Sequence, residues 1–285
     1  MRKRLLKNKM KTRIITAIII LSVIIPTFML SGTVVYPIVL SALAVRSVFE
    51  MLRVFGFDKS LAVCIPSYLL AFCLPTVAFF HKGDVKDFFM LCLILVYFYM
   101  LYLLMVSVVT RAKVKFSQLA RVFCAISYVT FAFAALAIIR YINNGAYFFA
   151  ISFICAWVSD VFALLVGKLI GKHQLIPEIS PKKTVEGSIG GVVFATIAML
   201  LYGFLLDRFV DTLEVNYLVL GVMGLVLAIV SQGGDLIAST IKREGGVKDY
   251  GHILPGHGGV TDRFDSIYAV AVLALVICVV FPPFV

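Results

Sequence analysis

Apolar runs of about 20 residues recur along nearly the whole chain, and no other feature constrains its fold as tightly. Nine can be read, at about 14–30, 34–55, 61–80, 87–109, 118–141, 145–170, 187–206, 215–241 and 263–281. A helix of roughly 20 apolar residues crosses a bilayer, and backbone groups in hydrocarbon must pair within their own segment or in a closed barrel. These runs are continuous and lack the alternation of barrel strands, so they predict helices. The expectation is an all-α integral membrane protein with about nine transmembrane helices. Only 14% of the residues are charged, against about 25% in soluble domains.

The N-terminal MRKRLLKNKMKTR is a basic block ahead of the run at 14–30, a pattern open to two readings. A cleaved signal peptide needs a small-residue cleavage site, which is absent here, and a second run follows at once; both points favour a retained first helix. Basic residues gather in alternate connections. With the N-terminus in the cytoplasm, only Lys82, Lys86, Arg140 and Arg208 fall on the far side, and Arg46 lies inside a span. That asymmetry predicts a cytoplasmic N-terminus and, for an odd number of spans, a C-terminus on the outer side. Topology and the anionic membrane surface account for the net charge of +11, so no nucleic-acid partner is expected. Cys64, Cys73, Cys92, Cys124, Cys155 and Cys278 lie scattered in apolar segments without CxxC spacing and read as small hydrophobes.

The chain reads as one membrane domain over 1–285, with its polar chemistry in the helices of 145–281 and in two long cytoplasmic loops, 171–186 and 242–262. Long loops in compact proteins are usually functional. Pro26, Pro37, Pro66 and Pro75 mark candidate kinks in the early spans.

The residues from 231 to 265 hold Asp235, Lys242, Arg243, Lys248, Asp249, His252, His257, Asp262, Arg263 and Asp265 between two apolar runs. A charge at membrane depth costs roughly 2.5–3.5 kcal/mol even on lenient scales, so this stretch is the candidate active site. Ser231, Asp235, Ser239 and Lys242 recur at helical spacing and form one polar stripe. A helix over 217–241 is about 38 Å long, longer than a core of about 30 Å, which sets Asp235 just inside the cytoplasmic boundary. Asp262 and Asp265 open the next span one turn apart. Helix-dipole stabilisation explains them blandly; with Asp235 they also suit Mg²⁺, which takes one or two carboxylates plus substrate phosphates.

Six glycines between 245 and 259 allow backbone N–H groups to approach a phosphate, a weak signal alone. Lys242, Arg243, Lys248 and Arg263 fit either phosphate neutralisation or positive-inside anchoring, and their place beside the acids favours the first. His252 and His257 lack zinc-type partners and suit loop or phosphate hydrogen bonds. The loop at 171–186 carries SPKKTVEG, with Lys182 and Lys183 ahead of a capping-type helix start, and resembles an anion-binding edge. Asp160, in an apolar run, needs either a helix-packing hydrogen bond or a partner such as Lys, Arg or a metal.

Taken together, Ser239-x-Ile241-Lys242-Arg243, Lys248-Asp249-x-Gly251 and Pro255-x-His257-Gly258-Gly259-Val260-x-Asp262-Arg263-x-Asp265 resemble the full signature of the phosphatidate cytidylyltransferase (CDP-diacylglycerol synthase) family. SPKKTVEG at 180–187 and Asp160 match it as well, so the likeness is specific over 155–270, while residues 1–140 agree only as hydrophobic helices. Val185 stands where the family commonly has Trp, and Val161 to Leu164 replace small or aromatic residues; neither departure removes an ionisable group.

The resemblance implies an enzyme of the inner (cytoplasmic) membrane, with its site facing the cytoplasm, that joins CTP and phosphatidate into CDP-diacylglycerol and pyrophosphate. It further implies Mg²⁺, a second monovalent cation such as K⁺, and a homodimer. Asp235 and Asp262 correspond to the family's metal-holding acids, and Asp265 is the third candidate. Lys242 would serve catalysis at the phosphates. Ser239, Arg243, Lys182, Lys183, Lys248, His257, Gly258, Gly259 and Arg263 would bind substrate, with Asp160 and Asp249 as further candidates. The rivals are a CTP-dependent lipid kinase and a transporter; the second predicts charge spread along several helices rather than gathered at one face.

Overall fold

The computed structural model describes residues 22, 26, 27, 29–82, 84–253 and 258–284. Among them are eight helices long and apolar enough to cross a membrane. They are α1 (Val35–Val54), α2 (Leu61–His81), α3 (Val85–Val109), α4 (Phe116–Ile139), α5 (Gly145–Ile170), α6 (Val185–Phe209), α7 (Tyr217–Glu244) and α8 (Thr261–Val280). Each ends within a few residues of a run read from the sequence. The ninth expected span, at 14–30, lies largely outside the described residues. The chain is a multi-pass membrane protein of helical fold.

The helices fall into two compact units, Met1–Tyr141 with Glu244–Phe264, and Ile142–Arg243 with Asp265–Val285. In the first, α4 is the core element: 72% of its apolar window is buried, against 22% for α3. Its small residues Ala132, Ala134, Ala135 and Ala137 are all buried, which suits a helix surrounded by others in lipid, where close backbone approach drives packing. The Tyr36 hydroxyl donates to the Leu136 carbonyl, tying α1 to α4. Ser67 and Tyr99 share a hydrogen bond of 2.8 Å between α2 and α3.

Pro66 and Pro75 lie inside α2. A proline has no N–H for the carbonyl four residues back, so Pro66 releases the carbonyl of Ala62. The Tyr102 hydroxyl of α3 donates to that carbonyl at 2.9 Å. A neighbouring helix thus satisfies the group that proline freed, as hydrocarbon demands.

The second unit is organised by the close approach of α5 and α6. A Cβ at Gly187 would stand 2.5 Å from the Ala163 carbonyl oxygen, and one at Gly191 would stand 2.7 Å from that of Ser159. Gly187 and Gly191 are four apart, as are Ser159 and Ala163, so two small-residue faces meet along one seam. Between these helices the chain forms a two-stranded antiparallel hairpin, β1 (Gln174–Ile176) and β2 (Ser180–Thr184). The long loop read as a turn with cations is therefore ordered, and Lys182 and Lys183 are strand residues. Thr184 ends the strand and starts α6, its Oγ1 accepting the Gly187 N–H at 3.1 Å. Glu186 fastens the other end, accepting from the Lys172 N–H at 3.0 Å and pairing with His173 Nδ1 at 2.6 Å.

Candidate active site

In the second unit the polar residues begin with Gln232, 8% exposed on α7. Its amide donates to Ser159 Oγ at 3.2 Å and to the Ser188 carbonyl at 2.9 Å, and its oxygen accepts the Ser188 hydroxyl. One side chain thereby locks α5, α6 and α7 in register immediately before Asp235. Two residues later Gly234 brings α7 against α8: a Cβ there would stand 2.9 Å from both the Asp265 carbonyl oxygen and the Ala269 Cβ. The absent side chain sets the stretch bearing Asp235 against the turn bearing Asp265.

Beside that crossing Asp235 and Asp265 each face a lysine, and Asp160 is hydrogen-bonded to the residue after Asp265. Asp235 is ion-paired with Lys183 of β2. The contact is one of charge rather than an aligned hydrogen bond, since the Lys183 Nζ is buried without a hydrogen-bond partner among the described residues. Asp265, 8% exposed, has Lys242 Nζ 4.0 Å from its Oδ2 and accepts the Ser266 N–H on Oδ1 at 3.0 Å. It lies within the electrostatic reach of Asp235 and Asp160. Asp160 accepts the Ser266 hydroxyl at 2.8 Å, so the helix-packing hydrogen bond, one of its two readings, is present. Arg243 Nε donates to the Ile179 carbonyl at 3.4 Å, and thus both β2 and the hairpin turn are tied to α7. Lys182 is exposed on the same strand, and Ser239 is buried one turn beyond Asp235.

The first unit holds the remaining candidates. Asp262 is 9% exposed in the first turn of α8, and its Oδ2 accepts the N–H groups of Tyr250 and Gly259, each at 2.9 Å. Gly258 has φ of +84°, open to glycine without strain, and a Cβ there would stand 2.7 Å from Asp262 Oδ2. The glycines at 258 and 259 thus fold the loop onto the Asp262 carboxylate. Lys248, Asp249 and Arg263 are exposed. Lys248 and Asp249 line an open cavity of about 350 Å³ with Arg53, Tyr250 and His252. His257 lies outside the described residues.

Glu50 is the residue the sequence reading passed over. It lies on α1 with 0% exposure and accepts the N–H groups of Val260 and Thr261 at 3.1 and 2.9 Å. The available signal was an acid four residues after Arg46 in an apolar span, a pair that hydrocarbon does not tolerate idly.

The fold is that of a helical membrane protein with a few acids and lysines held between its apolar helices. The cytidylyltransferase family profile matches residues 11–281. A phosphatidate cytidylyltransferase of Staphylococcus haemolyticus is 34% identical over 267 residues, covering 90% of this chain and 94% of that protein. Those of Staphylococcus aureus (strain COL) and Bacillus subtilis are 35% and 33% identical, covering 90% and 92% of this chain and 94% and 93% of theirs. The chain belongs to the cytidylyltransferase family and is a nucleotidyltransferase.

Proposed function

We propose that the protein is a CTP:phosphatidate cytidylyltransferase, making CDP-diacylglycerol and pyrophosphate for phospholipid synthesis. The observation that carries this reading is the crossing of α7 and α8 at Gly234, with Asp235 paired to Lys183 and Asp265 facing Lys242. The relatives' shared name supplies the substrates.

The donor set suits Mg²⁺. Mg²⁺ takes one or two carboxylates and completes its shell with phosphate oxygens and water. Asp235 and Asp262 would hold it, with Asp265 one turn from Asp262 on the same helix. When bound, the ion neutralises phosphate charge and polarises the reacting P–O bonds.

The chemistry asks little covalent help from the protein. A phosphatidate oxygen is already a nucleophile; it forms a bond to the α-phosphorus of CTP as the α–β bridging P–O bond breaks, and pyrophosphate leaves with the electron pair. The obstacle is repulsion between two polyanions. Lys183, Lys242 and Arg243 offset it, and Lys182, exposed on the same strand, draws anions to the hairpin. N–H groups of the glycine-rich loop other than those of Tyr250 and Gly259, which Asp262 accepts, give further donors for phosphate. The site faces the cytoplasm by the basic-residue asymmetry, with the N-terminus on that side, and the active form is a homodimer.

The test is purified protein in detergent with CTP, phosphatidate and Mg²⁺. CDP-diacylglycerol with stoichiometric pyrophosphate is expected, and CDP release with a phosphorylated lipid would instead identify a kinase.

A further inference from the structure

Glu50 lies 210 residues before Val260 in sequence, and yet its two carboxylate oxygens close the start of α8. Oε1 takes the Val260 N–H and Oε2 takes that of Thr261, the first residue of the helix; Asp262 is the next. Arg46, one turn earlier on α1, places its Nε 3.3 Å from Oε1. Two glycines leave the room that this carboxylate fills. A Cβ at Gly251 would stand 2.6 Å from Oε1, and one at Gly259 would overlap the carboxylate itself. Asp262 grips the same loop by the N–H groups of Tyr250 and Gly259. The chain at 250–251 and 258–261 therefore runs between two acids, one fixed in α1 and one in the proposed site.

Capping alone does not require this. A Ser or Asp beside a helix start satisfies its N–H groups locally, whereas a fully buried glutamate brought from another helix is costly and needs its own cation. What Glu50 adds is a fixed point outside the loop, which sets the direction in which the first turn of α8 presents Asp262.

We infer that Glu50 is a positioning residue for the nucleotidyl transfer, holding the Val260–Thr261 backbone so that Asp262 is presented in its working orientation. This rests on the functional reading above. Glu50→Gln preserves size but sets an amide NH₂ against a backbone N–H that needs an acceptor. Misplacement of a reacting group by about 1 Å costs about 10²-fold in rate, and kcat should fall on that scale while KM for CTP and for phosphatidate stays within about threefold. Amide hydrogen exchange in peptides covering 258–264 should quicken, with exchange across 61–139 unchanged. Gly259→Ala pushes on the same carboxylate and should quicken exchange over 258–264 as well. Glu50→Asp, which keeps both acceptors on a shorter arm, should recover most of the lost kcat.

Unchanged kcat in Glu50→Gln, or unchanged exchange over 258–264, would overturn the inference. So would a loss shared by kcat, both KM values and folded yield, with no recovery in Glu50→Asp, since that marks a general structural role. If the unmodified enzyme makes no CDP-diacylglycerol, the functional reading fails and takes the inference with it; the wild-type lane separates that failure from an indifferent Glu50.

Discussion

Lys183 and Asp235 form an ion pair that fastens strand β2 to α7. The two residues come from different long stretches of the polar sequence, and their meeting makes the SPKKT strand part of the same cluster as the acids. The side chains are 24% and 25% exposed and the Lys183 Nζ itself is buried, so the two charges depend on each other.

Asp235→Asn should lower CDP-diacylglycerol formation at least about 10²-fold, the scale seen when a preorganised charge at a reacting phosphate is lost. Lys183→Met should cost less, about tenfold, because Lys182, Lys242 and Arg243 remain. Since the two are in contact, the double variant should be less impaired than the product of the single effects. Initial rates in detergent at saturating CTP give all three numbers.

Asp265 faces Lys242 at 4.0 Å while its other oxygen is held by the Ser266 N–H. Removing one member of a buried pair leaves the other uncompensated, at a cost of about 3–5 kcal/mol. Lys242→Met should therefore lower both activity and thermal stability. Lys242→Met with Asp265→Asn should recover stability without activity, measured by the melting midpoint and the product assay on the same preparations.

Gly191 separates α6 from the Ser159 carbonyl oxygen, and a methyl group there would also meet Gln232 Nε2 at 2.9 Å. Gly191→Ala should destabilise the second unit by about 1–3 kcal/mol, the usual range for overpacking. Because Gln232 aligns the helix that carries Asp235, kcat should fall as well. Melting curves paired with rates at a temperature well below the midpoint check both effects.

Tyr102→Phe removes the donor to the Ala62 carbonyl that Pro66 left without its helical partner. Hydrogen bonds between membrane helices average about 0.6 kcal/mol, so the melting midpoint should fall slightly and the specific activity should hold.

The helices were legible because a run of apolar residues has few alternatives in lipid, and every described span from Val35 onward lies where hydropathy put it. The acids at 160, 235, 262 and 265 stood out for the same reason, being costly where they lie. The hairpin was not legible: Gln174–Ile176 and Ser180–Thr184 are too short to show a strand pattern, and the Glu186 and Thr184 bonds around them are ones that only the fold creates. Glu50 escaped notice because its partners are backbone groups far along the chain, and backbone groups leave no mark in a sequence. The Gly187 and Gly191 face went unread, because its meaning depends on the small residues Ser159 and Ala163 of the helix it meets.

The most direct measurement is transfer from CTP labelled in separate preparations at the α- and γ-phosphates, with phosphatidate and Mg²⁺, in wild-type enzyme. The α label is expected in extractable lipid and the γ label in pyrophosphate, with both transfers abolished by a chelator. Appearance of the γ label in lipid, or a lipid product that forms equally well without divalent metal, would contradict the account.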